Sequence, residues 1–218
     1  MQRLQWRMRT RIKFCGLTRP GDVRLAVELG VDALGFVFAA ASPRRLVLEQ
    51  VEGLRQVVPP LVDPVALFMD NPGSEIAAAI RLLRPTLLQF HGSEDDAFCR
   101  GFGLPFIKTV AMGQGSADAA LARKRYPSAS AFLLDGHGPG QPGGRGERFD
   151  WTTLPPLGRP VFLAGGLSPA NVGQAIRAAR PFAVDVSSGI ESAPGIKDGE
   201  KMQQFVDEVR RADRNAHE

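Results

Sequence analysis

Two titratable side chains stand where an aliphatic run meets a glycine. Cys15 ends Arg11-Ile12-Lys13-Phe14-Cys15 before Gly16, and Asp135 ends Ala131-Phe132-Leu133-Leu134-Asp135 before Gly136. A thiolate takes a proton and a protonated carboxyl gives one, so the pair can act as general base and general acid. Each needs help from its surroundings. A free thiol titrates at about 8.5, and a carboxylic acid survives near neutral pH only where burial or a nearby anion raises its pKa. Lys13, two residues before Cys15, shares its face of a strand and is expected to pull the thiol pKa down. A structural ion pair inside the fold accounts for Lys13 equally well. Most free cysteines are buried small hydrophobes, but the position of Cys15 at a strand end favours chemistry. Cys99, on a helix without polar company, keeps the bland reading.

Other polar residues gather at similar run ends. Gln89-Phe90-His91-Gly92 places Gln89 and His91 on one face; His91 suits either a base or a hydrogen-bonded rim residue. Asp185 precedes Val186-Ser187-Ser188-Gly189, and Gly165-Gly166-Leu167-Ser168-Pro169 follows another aliphatic run. Glycine turns that expose backbone N–H groups and then open a helix are anion sites, and two of them on adjacent strands point to phosphate. A single such turn would indicate only a tight connection. Gly143-Gly144-Arg145-Gly146 forms a third glycine-rich stretch, able to fold over a ligand. His137 and His217 attract no role, Asp70-Asn71-Pro72 reads as a turn and helix start, and Phe149 and Trp151 are expected to pack their own loop.

The elements that must position these groups alternate. Strands are predicted at 11–15, 33–38, 64–69, 86–90, 105–110, 130–135, 160–164 and 182–186. Helices are predicted at about 19–30, 49–58, 73–83, 94–102, 116–125, 169–179 and 199–213, with 136–159 mostly loop. An open doubly wound sheet shows the same alternation, but eight strands favour a single (β/α)₈ (TIM) barrel over residues 11–215. In such a barrel the active site lies at the strand C-terminal ends, where all of these polar residues fall, with phosphate at the loops after strands seven and eight. Residues 1–10 stand outside the pattern and are expected to be a disordered leader, with Met8 as an alternative start.

Composition narrows the function class. The 218 residues fit one domain, and no apolar run is long enough to span a bilayer. The basic N-terminus lacks the apolar stretch of a secretory signal, so the expected location is the cytoplasm. Two cysteines make no disulfide framework, and neither has a Cys or His at ligand spacing, so no metal is expected. The net charge of +4 is scattered, which argues against nucleic acid and for a surface tolerant of anionic small molecules.

Taken in order, IKFCGLT (12–18), GFVF (35–38), SPRR (42–45), LQFHG (88–92), LLDG (133–136), GGRGERFDW (143–151), AGGLSPANV (164–172) and FAVDVSSGIE (182–191) resemble the phosphoribosylanthranilate isomerases of tryptophan biosynthesis. The likeness runs from about residue 11 to the C-terminus. It implies that Cys15 is the general base and Asp135 the general acid. It also implies that Arg44 holds the anthranilate carboxylate, and that Asp185 lies near the amine and ribose hydroxyls. Gly144, Gly165, Gly166 and Ser187-Ser188-Gly189 are implied to contact phosphate, with Gln89 and His91 lining the substrate site. The implied reaction is an Amadori rearrangement, from ribosyl amine to amino-ketose. A proton delivered to the furanose oxygen opens the ring to an iminium, and a base then removes the C2 proton. One acid and one base suffice, without cofactor or metal, each worth about 10²–10⁴-fold.

Two departures stand out: Phe14 replaces a small aliphatic before the cysteine, and Glu147 stands where a lysine is common. The main alternative is a histidine-pathway aminoaldose isomerase or a bifunctional barrel, but those use paired aspartates where this chain has Cys15. A sugar-phosphate-binding regulatory barrel is the non-enzyme alternative. The partner expected is a small-molecule substrate, with the chain acting as monomer or homodimer.

Overall fold

In the computed structural model, residues 9–113, 117–136, 149–152, 154 and 157–215 are described. Eight parallel strands close on themselves in chain order. They are β1 (Arg11–Cys15), β2 (Ala33–Val37), β3 (Asp63–Phe68), β4 (Leu87–Phe90), β5 (Phe106–Ala111), β6 (Ala131–Asp135), β7 (Val161–Leu163) and β8 (Ala183–Val186). The helices between and after them are α1 (Pro20–Glu28), α2 (Leu48–Arg55), α3 (Gly73–Leu83), α4 (Asp96–Arg100), α5 (Ala117–Arg125), α6 (Val172–Ala179) and α7 (Gly199–Asn215). The barrel, rather than the open sheet, is the architecture of this chain.

Strand alternation divides the apolar residues into two sets. Outward-facing Phe14, Phe36, Phe68, Phe90, Phe106 and Phe132 are buried against the helices. The rings form a belt: Phe68 lies 6.1 Å from Phe90, which meets Phe106 edge-on at 5.8 Å. Phe14, bulkier than a small aliphatic, is accommodated edge-on against Phe205 of α7 at 6.0 Å. Inward-facing Ile107, Ala131, Leu133, Phe162 and Ala183 plug the barrel floor, and Val37, Ala39, Leu67 and Met69 line its mouth beside Cys15. Burying a large apolar side chain contributes roughly 1.5–3 kcal/mol, so both shells hold the strands that carry the polar rim.

Three features differ from the sequence expectation. Arg9 and Thr10 belong to the frame, not to a leader: Arg9 pairs with Asp32, and Thr10 donates both its N–H and hydroxyl to the Asp213 carboxylate. A small hairpin, β9 (Glu191–Ala193) with β10 (Ile196–Lys197), interrupts the passage from β8 to α7. Its two- and three-residue strands are too short for periodicity to reveal. Helix α4 spans only Asp96–Arg100, started by the Asp95 carboxylate accepting from Phe98 N–H and ended before Gly103 (φ 71°). The loop residues 137–148, including Gly144, His137 and Glu147, lie outside the described residues, as does His217.

Candidate active site

The strand ends converge on a cavity of about 370 Å³ at the barrel mouth. Cys15, Arg44, Gln89, His91, Asp135 and Asp185 all line it, and Gly165, Gly166, Ser187 and Ser188 form its far wall. Of the residues singled out in the sequence, Gly189 stands just behind that wall, and Gly144 falls outside the described residues. Trp151 is buried in the outer core, and Cys99 is fully buried with its thiol pushed up to about 12 by that burial, neither touching the cavity.

Strand β1 sets Cys15. Cys15 pairs in register with Gly35 of β2, and a side chain at Gly35 would collide with it: a Cβ there would sit 2.8 Å from Cys15 Sγ and 3.1 Å from Lys13 Nζ. After Cys15, Gly16 turns with φ 74°, and a Cβ there would meet Arg44 Cδ. The Cys-Gly pair is therefore a geometric requirement: the chain must turn left-handed beneath the arginine.

Lys13, one layer down, donates to Asp185 Oδ1 at 2.6 Å; the two residues are register partners on β1 and β8. Burial works against its ammonium, but Asp185 and the Cys15 sulfur outweigh it and hold the lysine above its ordinary pKa. Both sequence readings of Lys13 are therefore present in one contact set. It is a buried structural pair, and it also attracts negative charge on Cys15. The attraction does not prevail, because burial, helped by Asp185, pushes the Cys15 thiol up against the pull of Lys13 and Lys197.

Asp135 is buried at the end of β6, on the other side of the mouth from β1. Gln89 is buried on β4; its amide nitrogen reaches Thr109 Oγ1 at 3.4 Å, and its Oε1 has no hydrogen-bond partner. His91 follows on a loop fixed from outside. There, Lys108 pairs with Glu94 at 2.9 Å and donates to the Gly92 carbonyl, while Asp70 accepts from Ser93 N–H. The Gly92 position has no room for a side chain beside the Asp70 carboxylate.

The loops after β7 and β8 meet backbone to backbone. Gly165 and Gly166 turn with φ 81° and 62°, and Asn171 locks the loop by accepting from Ser168 N–H and donating to the Gly166 carbonyl. Gly189, in the single 3₁₀ turn after β8, lies so close to this loop that a Cβ would stand 1.9 Å from the Leu167 carbonyl oxygen. The hydroxyl of Ser187 is buried at this wall with no hydrogen-bond partner.

Arg44 carries a partner that the sequence reading did not identify. Its Nε and Nη2 donate to the two carboxylate oxygens of Glu191 at 2.8 and 2.7 Å. Glu191 also accepts from Lys197 Nζ at 2.8 Å, and these cations hold its carboxyl below the ordinary value despite burial. The sequence reading passed over both Glu191 and Lys197. Glu191 closes a quoted motif, but nothing in the spacing of the small hairpin shows that its glutamate turns back beneath residue 44.

The chain and its barrel match a known group of enzymes. Residues 12–208 match the family described as N-(5'-phosphoribosyl)anthranilate (PRA) isomerase. The chain belongs to that family. It is 56% identical to the N-(5'-phosphoribosyl)anthranilate isomerase of Xanthomonas campestris pv. campestris (strain 8004), covering 94% of this chain and 95% of that one. The corresponding protein of Stenotrophomonas maltophilia (strain R551-3) is also 56% identical with the same coverage. Among solved structures, the phosphoribosyl anthranilate isomerase of Thermotoga maritima superposes with a TM-score of 0.82 at 35% identity, over 92% of this chain and 98% of that one. Another family structure, at 32% identity and TM-score 0.78, holds reduced 1-(o-carboxyphenylamino)-1-deoxyribulose 5-phosphate. The phosphoribosylanthranilate isomerases catalyse the Amadori rearrangement in tryptophan biosynthesis, and that is the reaction of this chain.

Proposed function

We propose that Cys15 and Asp135 carry the rearrangement of N-(5'-phosphoribosyl)anthranilate as base and acid across one cavity. The observation that carries this assignment is their placement: a thiol ending β1 and a carboxyl ending β6, both lining the space that the loops after β7 and β8 close. Asp135 donates to the furanose ring oxygen. The resulting iminium acidifies the C2–H, and Cys15 Sγ takes that proton, leaving the enolamine that relaxes to the ketone.

Because burial favours the Cys15 thiol in the free site, that proton must pass to bulk water as substrate binds, before the sulfur can accept the C2 proton. Lys13 and Lys197 lower the thiolate's energy, and the iminium adds a further positive charge beside it. The Gly165-Gly166 and Ser187–Gly189 segments hold the phosphate, with the unpaired Ser187 hydroxyl available to one of its oxygens. Gln89 Oε1 is a buried acceptor for a hydroxyl or amine N–H, His91 shapes the same wall, and Asp185 faces the amine and ribose hydroxyls from above Lys13. Arg44 presents the edge of its guanidinium not used by Glu191 to the anthranilate carboxylate.

The chain acts as a monomer or a homodimer. No described helix is long and apolar enough to cross a membrane, and a phosphorylated substrate fits an enzyme of the cytoplasm. The test follows the loss of anthranilate fluorescence from fresh substrate. Cys15→Ala and Asp135→Asn should each lower kcat by about 10²–10⁴-fold. Near-full rate in either variant rejects that residue's role.

A further inference from the structure

Arg44 is held by one buried carboxylate, and that carboxylate is itself held by a buried ammonium. Glu191 takes Arg44 Nε and Nη2 side-on, at 2.8 and 2.7 Å. Its Oε1 accepts in addition from Lys197 Nζ at 2.8 Å and from Gly195 N–H at 3.3 Å. Lys197 spends its other protons on two carbonyls, Cys15 O at 2.7 Å and Ser187 O at 3.1 Å. One ammonium therefore joins the end of β1, the phosphate segment after β8, and the partner of the arginine. All of these side chains are nearly removed from water, with Arg44 at 7%, Glu191 at 9% and Lys197 at 4% exposure.

A planar guanidinium has more than one edge able to take a carboxylate in parallel N–H···O pairs. Glu191 occupies the Nε/Nη2 edge, which leaves Nη1 and the second Nη2 proton as the edge for another carboxylate. Without Glu191, Arg44 would be a flexible cation able to swing among rotamers; with it, the remaining edge has one direction. Such fixing supplies orientation before substrate arrives, so less ordering cost falls on binding. The small hairpin β9–β10 is the device that makes this possible. Its turn brings Lys197 back onto Glu191, and a plain link from β8 to α7 would place neither.

We propose that Glu191 is a specificity-positioning residue, braced by Lys197, that aims Arg44 at the carboxylate of the substrate's aromatic ring. This rests on the reading of Arg44 as the carboxylate reader. Glu191 does not itself touch substrate. Its effect should therefore appear only with substrates that carry the carboxylate, whereas a residue that merely supports the fold would affect all substrates alike.

The experiment compares kcat/KM for N-(5'-phosphoribosyl)anthranilate with that for N-(5'-phosphoribosyl)aniline, which lacks the carboxylate. The ratio is measured in the full-length protein and in Arg44→Ala, Glu191→Gln and Glu191→Gln/Lys197→Met. The double variant removes one charge of each sign, so the net charge of the cluster is kept should the single variant fold poorly. The expected result is that Arg44→Ala collapses the ratio and that both Glu191 variants lower it by roughly 10- to 100-fold, mainly through KM for the anthranilate substrate. A collapsed ratio in Arg44→Ala with a wild-type ratio in the folded Glu191 variants overturns the proposal and leaves the reading of Arg44 standing. A wild-type ratio in Arg44→Ala overturns both.

Discussion

Gly35 is the position at which a single methyl group should report on the base. The Cβ of Gly35→Ala would lie 2.8 Å from Cys15 Sγ, 3.0 Å from Cys15 Cα and 3.1 Å from Lys13 Nζ. Ordinary heavy-atom contacts need about 3.5–4.0 Å, so the neighbours must retreat by roughly half to one ångström. The backbone has little freedom to do so, because Gly16 and Leu17 N–H both bond the Gly35 carbonyl, at 2.9 and 3.1 Å. Nor does Lys13, tied to Asp185 at 2.6 Å. The strain therefore falls on the sulfur. Overpacking of this kind costs about 1–3 kcal/mol, which in a chain of this size lowers the melting temperature by roughly 2–12 °C. A base displaced by about 1 Å loses on the order of 100-fold in rate. Gly35→Ala should thus fold, melt earlier, and lose about two orders of magnitude in kcat with little change in KM, since phosphate and carboxylate contacts are elsewhere. Gly53→Ala, on α2 with nothing within 4 Å, is the control and should gain up to about 1 kcal/mol of helix stability at full activity. Fluorescence turnover and thermal unfolding read both. A Gly35→Ala protein as fast and as stable as wild type would refute the placement of Cys15 and Lys13 against β2.

Lys13→Met removes a cation that opposes the upward push of burial on Cys15, so the ascending limb of the kcat/KM–pH profile should move to higher pH; an unmoved limb means that Lys13 is structural only. The same change strands Asp185 and should cost about 3–5 kcal/mol of stability in thermal or denaturant unfolding. Glu191 has a depressed folded-state pKa, so its stabilising contribution is complete above its unfolded value of about 4.5 and fades as pH falls through the folded one. Melting temperatures measured from pH 6 downward should therefore fall less steeply in Glu191→Gln than in wild type. Gly189→Ala would drive a methyl into the Leu167 carbonyl and part the two phosphate loops, so KM should rise at least tenfold while the pH profile keeps its shape. Cys99→Ala should keep full activity, with native labelling by a thiol reagent unchanged because the Cys99 thiol titrates only at about 12.

What the sequence disclosed and what it withheld separate along the distance over which its signals act. Aliphatic runs of four to six residues marked β1, β4, β6 and β8, two of them ending directly in a polar residue and glycine, and placed Cys15, Gln89, Asp135 and Asp185 on the rim; alternation alone set their facing. The bounds of α3 and α7 were within reach because a Pro72 start and a long amphipathic period are local signals. The partners of Arg44 were not. Glu191 is 147 residues away, and its turn back beneath the arginine depends on a hairpin with strands of three and two residues. Residues 9 and 10 looked like leader for the same reason, since Asp32 and Asp213 secure them across long separations. The protonation state of Cys15 was illegible for a different reason. Whether Lys13 outweighs burial depends on how much of its charge Asp185 has already taken, and that is a property of packing.

The distribution of buried charge at the mouth is itself an argument about mechanism. Buried ion pairs contribute little net stability against apolar replacements of equal volume, so these five ionised groups are poorly explained as stabilisers. Lys13–Asp185 and Arg44–Glu191–Lys197 all stand on the β1, β2 and β8 side of the cavity, around the sulfur. Their formal sum is one positive charge, which is the deficit a thiolate at Cys15 would fill. Burial thus pushes the Cys15 thiol up, while the groups around it form a framework whose formal charge a thiolate would balance. Asp135 stands on another part of the mouth, at the end of β6. Transplanting a carboxyl to position 15 should therefore yield an anion locked to Lys13, and Cys15→Asp should lose its ability to titrate with the substrate's iminium.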